Sequence, residues 1–483
     1  MLLAAALGGV LLHSLGRFVL KAVLFLRSPY SRDLGEGCVL AMVQLLDERG
    51  NYFLSLRGYP FVHLNYPPVF PALVWPFFHF FGPSLFAPRL ISILATVGVL
   101  AMIHGLIRTL TGSRPLALAA AGVALGPWFL QTWAPLARVD MLAILFSLAG
   151  LLAFVRGVRL PAVFPLFWMG FFTKQNALLA PAALLLSLAA SATRRGLLRA
   201  VVGFAVPLAG LFGILTVATD GNAYRHLITY TAAASYHWDE IGPGYWTLTR
   251  TSWPLLAIVV AALVRNPRRL ARDPARPIVI YWILSLCSLA TVAKEGSGRN
   301  YFIEPWLATV LVAAVALPMA TGGLKKALPL ATGALLVAAA VGHYSDNSRH
   351  RLPSAIENPD QATTFRRLWE AVRETEGPIL SENLAVLVVN RKPILVEPFG
   401  LLILKRAHLL RIGPILRDCE AHALPLVVVE GLLEQVPGLS ECLAAHYHVA
   451  ENLAPYRLLR PNPGAADRVA APGPEVDSGR SGL

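Results

Sequence analysis

The chain has 483 residues, of which 55% are hydrophobic and only 14% are charged, and its mean hydropathy is +0.57. This composition excludes a soluble domain of this size and indicates a protein that crosses a membrane several times. The formal net charge is +14, from 42 Lys and Arg against 28 Asp and Glu. We interpret the excess as cytoplasmic loops that obey the positive-inside rule, and not as a nucleic-acid-binding surface.

The first apolar run, 2–26, has no charged n-region and no small-residue cleavage site, so it is predicted to be a membrane segment and not a removable signal peptide. Further apolar runs follow at 68–82, 86–107, 115–130, 138–155, 161–172, 175–191, 199–218, 251–264, 278–293, 303–320 and 327–343. Several are shorter than the roughly 20 residues of an untilted span, so their boundaries are soft.

Basic residues cluster in alternate connections between these runs. The clusters are Arg108 and Arg114; Arg156 and Arg159; Arg194, Arg195 and Arg199; Arg265, Arg268, Arg269, Arg272 and Arg276; and Lys325 and Lys326. The positive-inside rule places all five in the cytoplasm. The simplest topology then leaves 68–82, which is short, aromatic and rich in proline, on the outer side as an interfacial helix. About eleven spans result, with the N-terminus inside and the C-terminus outside.

Residues 344–483 are more polar than the rest. Pro-bounded β-like runs begin at Pro378, Pro393 and Pro425 and alternate with helical patterns, which predicts a small extracytoplasmic α/β domain over 344–462. The tail 463–483 is predicted to be disordered, and 1–343 forms the transmembrane domain. The four cysteines show no metal-binding spacing, but Cys419 and Cys442 can pair in an oxidising compartment.

Asp33 and Glu36 lie in the first outer connection, where acids are otherwise few. At positions i and i+3 of a helix start, both carboxylates face one side near the positive end of the dipole. They can accept a proton from an attacking hydroxyl or amine, or hold a divalent cation. The alternative to a catalytic or metal-binding role is structural: Asp33 caps the helix and Glu36 completes the capping pattern.

Two further polar groups open or separate apolar runs on the same predicted side. Arg138 and Asp140 form either a second acidic site or a salt bridge that anchors a helix end. Lys174, in the island Thr173-Lys174-Gln175, either binds phosphate or is an interfacial lysine.

The segment 294–305 leads from small residues into Arg299, Asn300 and Tyr301, and then Glu304 begins the next run. An Arg fork and backbone amides at a helix start suit phosphate oxygens, although an ordinary charged loop has the same composition. The loop 219–250, which contains His226, is rich in aromatic residues and suits either sugar stacking or an interfacial belt.

These motifs, in this order, resemble the GT-C glycosyltransferases. The likeness is to the bacterial glycosyltransferase family 39 or dolichyl-phosphate-mannose–protein mannosyltransferase-like group, and within it to aminoarabinose transferase-like and rhizobial lipopolysaccharide-core transferase-like membrane proteins. It covers roughly residues 1–345. The motifs are Asp33-Leu-Gly-Glu36, Asn65-Tyr66-Pro67-Pro68-Val69-Phe70-Pro71, Arg138-Val139-Asp140-Met141, Thr173-Lys174-Gln175 and Gly298-Arg299-Asn300-Tyr301-Phe302-Ile303-Glu304-Pro305.

The resemblance implies an all-α polytopic enzyme of a bacterial inner membrane. It would transfer a sugar from a polyprenyl-phosphate donor to an extracytoplasmic acceptor, which is a lipid, a polysaccharide or a protein. We interpret the reaction as an inverting displacement at the sugar C1. The first-loop acid of the family corresponds to Asp33. From the motifs and the resemblance together we expect catalytic roles for Asp33, Glu36 and Asp140. Phosphate binding is expected of Lys174, Arg299 and Tyr301, and contacts with the donor or acceptor of Arg138, His226, Asn300 and Glu304. If a divalent cation is used, Asp33 and Glu36 are its expected ligands.

The sequence departs from the family pattern at two points. The second acid, Glu36, is three residues from Asp33 instead of adjacent, and Tyr66 stands where relatives often have His before the Pro-Pro pair. Two other classes remain open. A transporter or lipid flippase also places charges in a membrane, but here the charges gather on one face and no inverted repeat is visible. A non-catalytic membrane scaffold is the third interpretation.

Overall fold

The computed structural model describes residues 2–265, 274–320 and 359–463. The predicted span 327–343 and the predicted disordered tail, apart from residue 463, lie outside the described residues. Within them the transmembrane part is helical, with helices α1 Leu2–Arg27, α2 Leu34–Arg49, α3 Val69–Phe81, α4 Phe86–Thr111, α5 Arg114–Ala124, α6 Trp128–Trp133, α7 Asp140–Val155, α8 Leu160–Phe171, α9 Leu179–Ala189, α10 Arg194–Ala218, α11 Asn222–Tyr224, α12 Ile241–Arg265, α13 Arg276–Ser288 and α14 Ile303–Ala320.

Five described segments are long and apolar enough to cross a membrane: Phe86–Thr111, Arg194–Ala218, Trp238–Arg265, Arg276–Ala293 and Arg299–Ala320. There are also shorter apolar helices: α3 precedes these segments, and α5, α7 and α8 lie between the first two of them. The polytopic, helical class predicted from composition is therefore confirmed, while the number of eleven spans stays a prediction.

Helix ends follow local signals in the sequence. The side chain of Asp33 accepts a hydrogen bond from the Gly35 amide and caps α2, and Ser113 and Thr193 cap α5 and α10 in the same way. Gly50, at φ 67°, ends α2 in the left-handed conformation that glycine adopts without strain. Asp33 therefore has the capping role that the sequence left open, and its position is set by the start of α2.

Helix α3 lies where the sequence predicts an interfacial helix. Several of its aromatic side chains are exposed, with Phe80 and Phe81 more than three-quarters so. Its Trp75 donates a hydrogen bond to Asp47 of α2. One apolar face is thus left uncovered within the described structure, as expected of a helix that lies among lipid headgroups.

The C-terminal part contains helices and one mixed sheet. The helices are α15 Pro359–Glu374, α16 Leu384–Val389, α17 Pro398–Arg406, α18 Gly413–Glu420 and α19 Leu439–His446. The strands are β1 Ile379–Ser381, β2 Leu426–Val429, β3 Tyr447–Leu453 and β4 Tyr456–Pro461, in the order β1-β2-β4-β3. Only the β1–β2 pair is parallel. The predicted α/β region is therefore present.

Of the three predicted β-like runs, those after Pro378 and Pro425 become β1 and β2. The run after Pro393 forms no strand and pairs only at a single parallel bridge between Val396 and Phe61. This run forms no strand because it packs against the connection between α2 and α3, which contains Phe61, and not against the sheet. The last two strands, β3 and β4, were not predicted, because their alternation is interrupted by charged residues.

The C-terminal part packs directly on the transmembrane part. One buried cluster contains Leu40 of α2 and Val62 of the following connection together with Leu384 and Val428. A second joins Phe61 to the far side of the sheet. The two regions that the sequence separates near residue 344 therefore share their cores. This contact places residues of the C-terminal part next to the start of α2.

Cys419 and Cys442 form a disulfide, with a Cα–Cα distance of 6.4 Å. The bond links α18 to α19, and both cysteines are buried in the cluster on the far side of the sheet. This is the pairing that the sequence permitted.

Candidate functional site

The site forms where several helices begin or end at the same end of the bundle. Asp33 stands at the start of α2, Arg138 and Asp140 at the start of α7, and Lys174 after the end of α8. Tyr301 lies in a 3₁₀ turn before α14. The other ends of α7 and α8 carry Arg156 and Arg159, outside this site. Polar residues that are far apart in sequence thus meet on one side of an apolar bundle.

Four charged side chains form a continuous network at this point. Arg138 Nη1 donates to Asp33 Oδ2 at 2.5 Å, and Arg138 Nε lies 3.5 Å from Asp140 Oδ2. Lys174 Nζ donates to Asp140 Oδ1 at 2.7 Å. Asn300 Nδ2 donates to the same oxygen at 2.8 Å. Two cations and two carboxylates therefore balance one another in a site that is largely removed from water.

The network fixes its members electrostatically. Burial alone would lower the pKa of Lys174, but the neighbouring Asp140 carboxylate outweighs it and raises that pKa above its ordinary value. The amine is therefore charged at any physiological pH. Its ammonium also lies 5.2 Å from the centre of the Tyr301 ring, within range of a cation–π contact.

Two aromatic side chains complete the surroundings of Arg138. Its Nη2 donates to the Tyr66 hydroxyl at 3.2 Å, and its guanidinium lies 5.0 Å from the centre of the Trp133 ring. Burial raises the pKa of Tyr66 to about 12, although the Arg138 charge opposes the shift. Tyr66 is therefore a neutral hydroxyl that fixes Arg138.

A cavity of about 430 Å³ opens beside this network, which we call the first cavity. Its polar lining includes Asp33, Tyr66, Arg138, Lys174, Tyr230, Tyr236, Lys294, Asn300, Tyr301 and Glu397. The volume is in the range of cavities that hold small molecules. Tyrosines, amides and cations together suit a sugar that carries an anionic group.

A second cavity, of about 550 Å³, lies on the other side of Asp33. Asp33, Leu34 and Trp133 line both cavities, and Arg299 lines only the second. The Arg299 guanidinium lies 4.4 Å from the centre of the Trp128 ring. Asp33 is thus the acidic side chain shared by two spaces, each large enough for part of a substrate.

Glu36 does not reach either cavity. Its side chain is fully buried, and Arg89 holds it through two hydrogen bonds of 2.8 Å, from Nε to Oε1 and from Nη2 to Oε2. The amides of Arg32 and Ala137 donate to the same carboxylate. With both oxygens engaged in this way, the geometry favours a structural role for Glu36 over the predicted catalytic one.

The surroundings of Glu36 also bear on the predicted divalent cation. Asp33 turns to Arg138 and Glu36 turns to Arg89, so the pair does not present two free carboxylates to one point. Within the described ranges, no three His, Cys, Asp or Glu side chains gather closely enough to hold a metal ion. The residues present do not fit a cation held by Asp33 and Glu36.

His226, predicted to contact substrate, is fully buried outside the first cavity. Its Nε2 lies 2.8 Å from the Leu54 carbonyl, and its Nδ1 accepts from the Leu64 amide at 3.3 Å. His63 lies against it, with 3.4 Å between the Nδ1 atoms, and does line the first cavity. Burial lowers the pKa of His63 to about 3 and that of His226 to about 4, so both rings are neutral.

Glu304 lies one turn deeper, beside a small space that Asp140 and Lys174 also line. Its Oε1 accepts from the Tyr281 hydroxyl at 2.8 Å. Of the predicted site residues, Asp33, Arg138, Lys174, Asn300 and Tyr301 line the first cavity. Asp140 accepts hydrogen bonds from Lys174 and Asn300 and forms an ion pair with Arg138.

The C-terminal part supplies residues that the sequence did not single out. Glu397 and Phe399 line the first cavity from the start of α17, where Glu397 accepts from the Phe399 and Gly400 amides at 3.0 and 2.6 Å. Lys294, which belongs to the transmembrane part, also lines this cavity. Their proximity depends on how the two parts pack, so the sequence held no periodic or motif signal for it.

The comparisons with known proteins agree with this arrangement. Residues 65–219 match the family model for dolichyl-phosphate-mannose-protein mannosyltransferase. The fold is similar to the crystal structure of ArnT from Cupriavidus metallidurans in the apo state, with TM-score 0.62, 14% identity and coverage of 94% of this chain and 98% of that one. The same enzyme bound to undecaprenyl phosphate gives TM-score 0.58 and 14% identity over 96% and 99%. No curated protein sequence matches the chain.

The family match and the shared fold confirm the resemblance to the GT-C superfamily of membrane glycosyltransferases. The likeness to ArnT extends over nearly the whole of both chains.

Proposed function

We propose that this protein is an inverting glycosyltransferase that takes its sugar from a polyprenyl-phosphate donor. The observation that carries the proposal is the position of Asp33 at the junction of two cavities. The match to a mannosyltransferase family and the fold shared with an enzyme solved with undecaprenyl phosphate support this class of donor.

Asp33 is the proposed general base. Its Oδ2 accepts from Arg138 and from the Gly35 amide, which fixes the carboxylate, whereas within the described part of the chain no hydrogen bond engages Oδ1. That oxygen can take the proton of an acceptor hydroxyl or amine. The acceptor atom then bonds to the sugar C1 as the bond from C1 to the phosphate oxygen breaks, and the electron pair leaves with the phosphate.

The two cavities divide the substrates. We assign the donor phosphate and sugar to the first cavity, because it has the cations Arg138 and Lys174 and several tyrosines. The acceptor then enters through the second cavity, where Arg299 lies. In this assignment Lys174 and Asp140 keep Arg138 and Asn300 in place, and preorganised charge of this kind stabilises the transition state more than the ground state.

The proposed location is the extracytoplasmic face of a bacterial inner membrane. Arg156 and Arg159 lie at the ends of α7 and α8 away from the site, so the positive-inside rule places the site outside. The disulfide between Cys419 and Cys442 in the C-terminal part supports an oxidising compartment. Charges at helix ends, not at the midplane, favour a transferase over a transporter.

The test is turnover by the purified protein of polyprenyl-phosphate sugars. Lipid-linked sugars that accumulate in a deletion strain would identify the donor to use. Asp33→Asn keeps the shape of the side chain but removes the base, so the rate should fall by about 10²-fold or more. Asp47→Asn is the matched control, because Asp47 lies on the same helix and pairs with Trp75 and His79, away from both cavities. Near-normal turnover by a folded Asp33→Asn protein would reduce Asp33 to a helix cap.

A further inference from the structure

Among the described residues that line the first cavity, one cation has no carboxylate partner. Arg138 is paired with Asp33 and Asp140, and Lys174 is paired with Asp140. This network is therefore neutral as a whole. An incoming phosphate is attracted more strongly to a cation that is not already paired with a carboxylate than to Arg138 or Lys174.

Lys294 has that property. It lines the first cavity, and no carboxylate of the described residues lies within ion-pairing distance of its ammonium. The neighbouring Glu295 is paired instead with Arg406 at 3.0 Å. Lys294 is half-buried, and burial lowers its pKa, which an anion beside it would reverse. Within the described residues it is a partly desolvated cation without a carboxylate partner.

The backbone holds Lys294 firmly in this position. It forms an antiparallel bridge with Tyr236, the His237 amide donates to the Ala293 carbonyl at 2.7 Å, and the Glu295 amide donates to the Ser235 carbonyl at 2.8 Å. The ion pair of Glu295 with Arg406 ties the same segment to α17. These contacts fix the position of the Lys294 backbone beside the first cavity, so the ammonium is carried by an ordered segment.

We propose that Lys294 binds the phosphate of the lipid-linked donor and stabilises the charge that the phosphate keeps when the sugar leaves. This rests on the proposed function. Before transfer the phosphate is a diester with a single charge; afterwards it is a monoester, with a charge nearer −2 at neutral pH. Lys294 therefore interacts more strongly with the product side of the reaction than with the donor, as a residue that stabilises a leaving group must.

The proposal can be tested by binding to the full-length protein in nanodiscs of zwitterionic lipid. The probes are a short-chain polyprenyl phosphate, the matching polyprenol and inorganic phosphate. Wild type should prefer the polyprenyl phosphate to the polyprenol. Lys294→Gln should reduce that preference about tenfold or more, because it removes one charged hydrogen bond to the phosphate. It should not change the affinity for the polyprenol. Lys294→Arg should retain most of it.

Lys405→Gln is the control, since it removes one lysine from α17 outside the cavity. Thermal melting is measured for every variant. If Lys294→Gln unfolds, Lys294→Met replaces it as the neutral variant and is compared with the charged variant Lys294→Arg. Unchanged preference in a folded neutral variant would overturn the role of Lys294 alone. A wild type with no preference for the phosphate would overturn the proposed function as well. Lys294-dependent binding of inorganic phosphate but not of the lipid would overturn the assignment to the donor.

Discussion

Lys174 and Arg299 are both basic residues predicted to bind phosphate, but they line different cavities on either side of Asp33. Lys174→Ala should weaken donor use, because it removes a charge from the first cavity and leaves Asp140 short of a partner. Arg299→Ala should instead raise the KM for the acceptor and leave donor binding nearly unchanged. For each, the loss of a charged hydrogen bond predicts about 1.5–3 kcal/mol.

Steady-state kinetics with each substrate varied in turn distinguish these outcomes. Arg299→Lys should restore the acceptor KM only in part, because an ammonium lacks the planar fork that can stack on Trp128. If Arg299→Ala raised the donor KM and left the acceptor KM unchanged, the division of the two cavities would be wrong.

Individual site residues could be recognised from sequence where a polar group interrupts an apolar run. This is why Asp33, Arg138 and Lys174 were identified, and all three line the first cavity. Lys294 and Glu397 lie in polar stretches where charge is ordinary. They become candidates only because both line the first cavity. This shared position depends on contacts between residues about a hundred positions apart, which the sequence does not reveal.

At the scale of elements, the start of α2 is held by the buried pair of Glu36 and Arg89. Arg89 also donates to the carbonyls of Phe25, Ser28 and Tyr30, so it joins the end of α1 to α2. Glu36→Gln should leave the Arg89 charge buried without its counter-charge and destabilise the protein by about 3–5 kcal/mol. Thermal melting in detergent measures the loss.

The double variant Glu36→Leu/Arg89→Leu is the control for that prediction. It should be less destabilised than the sum of the two single variants, because residues that share a buried pair are coupled. Additive losses would mean that the two side chains act independently. Turnover by a folded Glu36→Gln protein then tests the catalytic role: little change in rate would support the structural one.

Helix α17 meets the transmembrane part through its capping residue, Glu397. Burial raises the pKa of Glu397 to about 7, although the Phe399 and Gly400 amides oppose the shift. The folded state therefore binds this proton more tightly than the unfolded state. Its contribution to stability is complete below the ordinary pKa of 4.5 and is lost as the pH rises through 7.

The contributions of His63 and His226 to stability depend on pH in the opposite direction. Because their pKa values are lowered from 6.5 to about 3 and 4, they favour folding increasingly as the pH rises towards 6.5. The difference in melting temperature between wild type and Glu397→Gln isolates the Glu397 contribution. It should shrink between pH 5 and pH 8. A difference independent of pH would show that Glu397 is charged throughout that range.

For the whole molecule, composition and basic loops were enough to predict a helical bundle with its polar residues at one end, because those features follow from the bilayer itself. The packing of the C-terminal part was not predictable in the same way. Its contact with α2 rests on apolar residues such as Leu40 and Leu384, which look like any buried helix residue in sequence. The division at residue 344 marks a change in composition, not an independent core.

Sidedness is the property of the whole molecule on which the proposed reaction depends. Exposed residues on its two ends allow a direct test: Arg366 on α15 of the C-terminal part and Arg195 at the start of α10, beside the basic cluster. In intact spheroplasts, a membrane-impermeant maleimide should label Arg366→Cys, and should label Arg195→Cys only after permeabilisation. The unmutated protein serves as the blank for Cys38 and Cys287. The reverse pattern would place Asp33 and both cavities in the cytoplasm, where an extracytoplasmic acceptor cannot reach them.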